Sequence, residues 1–118
     1  MKFDTYGVEL WGCRGPLNDA EALEAALRAA SERVGAHIMT GARAVYQPHG
    51  VTVILILAES HMVISTWPEH DYALIDLLLC NAEMDPEDAA AEIIRILEPS
   101  TTRPWRVTHD IGPEPPGE

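Results

Sequence analysis

Glu59-Ser60-His61 interrupts an apolar stretch that begins at Val51, and a lone cysteine, Cys80, lies downstream. A plain core strand has no need for three consecutive polar residues. A serine hydroxyl becomes a nucleophile when a base takes its proton, and a thiol can hold a proton and deliver it. Thr52 and Tyr46 add two more hydroxyls just upstream. Neighbours on a strand point to opposite faces, so Ser60 and His61 do not make a nucleophile–base pair by adjacency alone. The sequence contains no GxSxG, GxGxxG, phosphate-binding loop or HExxH. The polar step and the thiol are what remain to carry chemistry.

Composition narrows the partners. The 118 residues suit one domain, expected over 1–112, with the tail GPEPPGE leaving 113–118 disordered. Eight basic against nineteen acidic side chains give a net charge of -11, which argues against nucleic acid and anionic membranes as partners, since both require basic patches. That charge is compatible with a small cationic substrate. No apolar run reaches the ~18 residues of a membrane span, and MKFDTYGVEL is a strand pattern rather than a signal peptide, so a cytoplasmic protein is expected. Cys13 and Cys80 stand far apart and outside any CxxC, and the five histidines lack ligand spacing. No metal site is expected, and Cys13 reads as structural.

The elements that position these residues follow from periodicity. Residues 3–12 alternate as a first strand, and Gly15-Pro16 breaks it. Asn18 or Asp19 can cap a helix with Leu23, Ala26, Leu27, Ala30 and Val34 at helical spacing, stopped by Gly35. A strand is expected from His37 to Gln47, ended by Pro48-His49-Gly50. Val51–Ala58 is apolar on both parities and calls for cover on both faces. Extended structure resumes over Met62–Trp67, then over Tyr72–Cys80. There Ala73, Ile75, Leu77 and Leu79 point one way, and Tyr72, Asp76 and Cys80 the other. Asp85-Pro86-Glu87-Asp88 opens a second helix that buries Ala90, Ile93, Ile94 and Leu97 and stops at Pro99. Trp105–Ile111 is a last strand.

With the interrupted stretch counted as one strand, the order is β-α-β-β-β-α-β. It predicts a two-layer α/β sandwich, a mainly antiparallel sheet with two helices on one face. Two helices cover one face only. The doubly apolar strand therefore points to a partner on the other, most simply a second copy in a homodimer or higher assembly.

QPHGVTVILILAESH, followed by TWPE and a strand ending in Cys80, resembles the prokaryotic S-adenosylmethionine decarboxylase proenzymes. The likeness spans roughly residues 4–110 and includes GVELWGC. It implies a chain that cuts itself between Glu59 and Ser60. Attack of the serine hydroxyl on the preceding carbonyl forms an ester, β-elimination releases the upstream chain, and hydrolysis leaves a pyruvoyl cofactor where Ser60 stood. That ketone captures a substrate amine as a Schiff base and stores the electrons released when CO₂ leaves. The resemblance implies that Cys80 donates the proton to the α-carbon and that Thr52 assists processing. It also implies that Tyr46 stacks on adenine, that Glu69 binds the ribose hydroxyls, and that Trp67 lies at the pocket.

One position departs from the family pattern. ESHxxxHTWPE has a second histidine, used in self-processing, where this chain has Ser65. A hydroxyl does not accept a proton near neutral pH as imidazole does. This leaves His61 or His70 to substitute, or a processing step that is slow or absent. Three functions follow: decarboxylation of S-adenosylmethionine for spermidine synthesis, pyruvoyl-dependent decarboxylation of arginine or ornithine, or an unprocessed homologue that binds a ligand or regulates a partner.

Overall fold

The computed structural model describes residues 1–58 and 60–114. It contains β1 (Lys2–Trp11), α1 (Ala20–Arg33), β2 (Ile38–Val45), β3 (Val51–Leu57), β4 (Ser60–Trp67), a 3₁₀ turn (Pro68–His70), β5 (Tyr72–Leu79), α2 (Pro86–Leu97) and β6 (Thr101–Asp110). The six strands form one sheet in the order β2-β3-β4-β5-β1-β6, with antiparallel neighbours throughout. Both helices pack on the same face and against each other, which is the expected two-layer α/β sandwich.

Local chemistry sets the helix ends. Asp19 caps α1 by accepting a hydrogen bond from the Ala22 amide at 3.1 Å, and Asp85 caps α2 through the Glu87 amide at 2.9 Å, with Pro86 at the first helical position. At the end of α1, Gly35 takes φ +74°. The Gly35 and Ala36 amides return to the Glu32 and Ser31 carbonyls at 3.0 and 2.9 Å, the double closure of a Schellman turn. The buried stripe of α1 is Leu23, Ala26, Leu27 and Ala30, with Val34 half-buried. That of α2 is Ala89, Ala90, Ile93 and Leu97, with Ile94 half-buried.

Two differences from the expected order have physical causes. The polar step is a hairpin between two strands rather than an interruption within one. Leu57 pairs with Ser60, so only two residues separate the paired ends, and the order becomes β-α-β-β-β-β-α-β. The last strand begins at Thr101, four residues before Trp105, and runs through Pro104. Proline cannot donate to a ladder, but β6 pairs only with β1 and its other edge needs no donor at that point. Glu59 and the part of the expected tail beyond residue 114 lie outside the described residues.

Strand parity divides the sheet cleanly. Val51, Val53, Leu55, Leu57, Met62, Ile64, Ala73, Ile75, Leu77 and Leu79 are buried beneath the helices. The alternate positions form the opposite face, which no element among the described residues covers: Ile54 and Ile56 on β3, Val63 on β4, and Leu74 and Leu78 on β5. At the sheet's edge Trp105 lies against this face over Gly7, where an added Cβ would meet the indole at 2.0 Å. No helix of the described residues is long and apolar enough to cross a membrane.

Candidate active site

Ser60 opens β4 at the hairpin, and Cys80 follows Leu79, the last residue of β5. Because β4 and β5 run antiparallel, the start of one adjoins the end of the other. The two residues therefore line one cavity of about 230 Å³, with Ala36, His37, Ala58 and Met84 among its other walls. The Ala58 amide donates to the His37 carbonyl at 2.9 Å, which ties the start of β2 to the hairpin. Cys80 also borders a neighbouring groove of about 540 Å³ that contains Asp4, Asp85 and Arg106. The Arg106 guanidinium donates to Asp4 at 2.9 Å.

A second group assembles at the other end of the same strands. Thr52 and Ser65 are register partners across β3 and β4, and their hydroxyls lie 3.0 Å apart. The Tyr46 phenol donates to the Thr52 hydroxyl at 3.1 Å, extending the chain to three hydroxyls. Tyr46, Thr52, Ser65, Trp67 and Glu69 line a cavity of about 410 Å³ together with His49. The Gly50 amide donates to the Asn18 side chain at 2.9 Å and pins the loop that carries His49.

Glu69 pairs with His49 at 3.0 Å. Burial pushes the Glu69 carboxyl up, but its own backbone amide, the His49 hydrogen bond and the nearby His49 and His70 imidazoles outweigh this and hold it below the ordinary carboxylate range. It is therefore an anion at neutral pH, able to accept hydrogen bonds from a diol.

The two groups do not meet within one copy. Ser60 and Ser65 occupy one strand, so at a rise of ~3.3 Å per residue they stand roughly 17 Å apart, and Trp67 stands roughly 23 Å from Ser60. His61, half-buried on β4, pairs with Ile56 and Leu78 on the uncovered side of the sheet. His70 sits with Trp11, Trp67 and Tyr72, away from the hairpin. Tyr72 donates to Glu9 at 2.9 Å. Burial, that hydrogen bond and the Glu9 charge push its phenol up to about 12. Cys13 is buried, and burial together with the Asp71 charge pushes its thiol up to about 11, the condition of an inert core residue. Asp76 shares the uncovered face, and its Oδ1 is buried without a hydrogen-bond partner among the described residues.

Sequence reasoning missed two wall residues, His37 and His49. Each lies beside a turn whose partners are distant in sequence. The Pro48-His49-Gly50 turn between Tyr46 and Thr52 was the one local signal available for His49.

The family profile described as S-adenosylmethionine decarboxylase matches residues 5–108. An S-adenosylmethionine decarboxylase proenzyme 2 of Bacillus cereus is 37% identical over 117 residues, covering 95% of each chain. An S-adenosylmethionine decarboxylase proenzyme of Methanococcus maripaludis is 38% identical over 105 residues, covering 88% of this chain and 86% of its own. Among solved structures, the adenosylmethionine decarboxylase of Aquifex aeolicus superposes with a TM-score of 0.83 at 26% identity, covering 98% of this chain and 97% of its own.

Proposed function

This chain belongs to the S-adenosylmethionine decarboxylase family, and from that premise we propose that it is a proenzyme that cuts itself between Glu59 and Ser60 to become a pyruvoyl-dependent decarboxylase of S-adenosylmethionine. The product would be an aminopropyl donor for spermidine synthesis. The observation that carries this reading is the cavity shared by Ser60 and Cys80 at a two-residue hairpin. The cavity puts the Cys80 thiol within the same walls as Ser60, which supports its reading as the proton source for the α-carbon.

The residues fit the group that self-cleavage would create. A pyruvoyl group at position 60 supplies a ketone that binds a substrate amine and accepts the electrons released with CO₂. Cys80 holds the proton for the α-carbon. Tyr46 offers a ring face to the adenine, Trp67 closes the pocket beside it, and ionised Glu69 accepts from the ribose hydroxyls. Thr52 and Ser65 offer hydroxyls to the cleavage step. The net charge of -11 favours approach of a sulfonium substrate.

The separation of the two groups requires a second copy. Two sheets stacked by their uncovered faces, with strands running in opposite senses, bring the Ser60 end of one copy to the Ser65 end of the other. The apolar character of the uncovered surface favours such a homodimer, since Ile54, Ile56, Trp67, Trp105 and Val107 are all more than a third exposed on that face.

The test is a denaturing mass spectrum of purified protein. Two fragments are expected, residues 1–59 and a pyruvoyl-started 60–118, and Ser60→Ala should remain one chain. A parent chain still intact after long incubation overturns the reading. Release of CO₂ from S-adenosylmethionine, and not from arginine or ornithine, is the expected result on processed protein.

A further inference from the structure

Elimination of the Glu59–Ser60 ester requires a base, and position 65 holds a hydroxyl rather than an imidazole. The surroundings of the five histidines distinguish them. His109 bonds Thr5 at 2.8 Å and stacks on Phe3 near the end of β6. His49 is engaged by Glu69, and His70 lies in the aromatic pocket, both at the end of the sheet that only a second copy would bring to the hairpin. His61 adjoins Ser60, but strand alternation directs neighbouring side chains to opposite faces. Among the described residues, His37 is the one histidine that lines the cavity of Ser60 and Cys80.

We propose that His37 supplies, from within the same copy, the imidazole that accepts the proton in the elimination step of self-cleavage. The inference rests on the self-cleavage reading above. His37 is held in place by its backbone rather than by its ring. Its carbonyl accepts the Ala58 amide at 2.9 Å, two residues before Ser60, and this leaves the exposed imidazole without a hydrogen-bonded partner among the described residues. The left-handed Gly35 and the half-buried Ala36 bring the chain out of α1 directly into the cavity wall.

The step balances without an outside oxidant or reductant. The Ser60 hydroxyl adds to the Glu59 carbonyl, the C–N bond breaks, and an ester and a free amine result. His37 then takes the Ser60 Cα proton, the Cβ–Oγ bond breaks, and Glu59 leaves as a carboxylate. The dehydroalanine tautomerises and adds water, and ammonia departs.

The experiment follows cleavage of freshly refolded chains by gel and mass. His37→Ala and His37→Asn should slow it by about 10²-fold or more, while His109→Ala, whose ring bonds Thr5 and stacks on Phe3, keeps the parental rate. The far-ultraviolet spectrum should not change, because the tether is a main-chain bond. Added imidazole should restore cleavage of His37→Ala by filling the space left. Parental rates in both His37 variants overturn the proposal and leave the self-cleavage reading standing. Slow cleavage that imidazole does not accelerate also overturns it, since the residue is then structural. A parent that never cleaves removes both readings together.

Discussion

Ser60 and Ser65 lie on one strand, β4, yet they line different cavities at opposite ends of the sheet. An extended strand cannot fold back, so no side-chain motion within one copy brings the Thr52–Ser65 pair to the hairpin.

Two inactive variants should complement each other. Cys80→Ala damages the hairpin end and Glu69→Gln the far end. A mixed dimer of the two contains one site in which both ends are intact. Co-refolding should restore turnover toward a quarter of the parent, the fraction set by random pairing and one good site per mixed dimer. Turnover of the mixture equal to the average of the separate variants would show that each copy completes its own site.

Cys80→Ala alone should cleave normally and turn over poorly. Loss of a general acid typically costs about 10²–10⁴-fold in rate, far more than a small packing defect. Without the thiol, protonation can occur at the cofactor carbon and leave alanine at position 60. A mass scan of the spent enzyme should find it, and near-parental turnover would make Cys80 a wall residue only.

Ile56→Asp should dissociate the dimer. Ile56 is 49% exposed on the uncovered face of β3, and a carboxylate there opposes burial against a second sheet. Sedimentation at micromolar concentration should show a dimer for the parent and a monomer for the variant. A parent that sediments as a monomer refutes the two-copy site.

Tyr72 should make stability fall at high pH. Its folded-state pKa of about 12 lies above the ordinary value of 10.0, so the folded chain retains a proton that the unfolded chain gives up. The contribution is complete below about 10 and is lost as pH rises through 12. Tyr72→Phe removes that one titration. The melting temperature of the parent should drop more between pH 9 and pH 11.5 than that of the variant, where about 9 and 11.5 simply bracket the lower half of the window.

The layers and faces of this fold are legible in the residues. Alternation along Tyr72–Leu79 separates the helix-covered side from the open one, and Asp19, Gly35 and Asp85-Pro86 mark helix ends because capping is a local reaction of the backbone. The hairpin was less legible. Ala58 is neither glycine nor asparagine, so the connection carries none of the usual turn chemistry and reads as a break within one strand. The start of β6 was obscured by Pro104, whose tolerance depends on being at an edge.

What the sequence by itself determined was therefore the candidate site residues, through the likeness of a contiguous motif, and the face each could occupy, through a period of two or 3.6. Only the tertiary structure decided which ends meet. Register across β3, β4 and β5 places Ser60 beside Cys80 and places Ser65 beside Thr52, and the main-chain bond from Ala58 draws His37 into the first group. Those pairings depend on hydrogen bonds between segments distant along the chain, and periodicity carries no information about them.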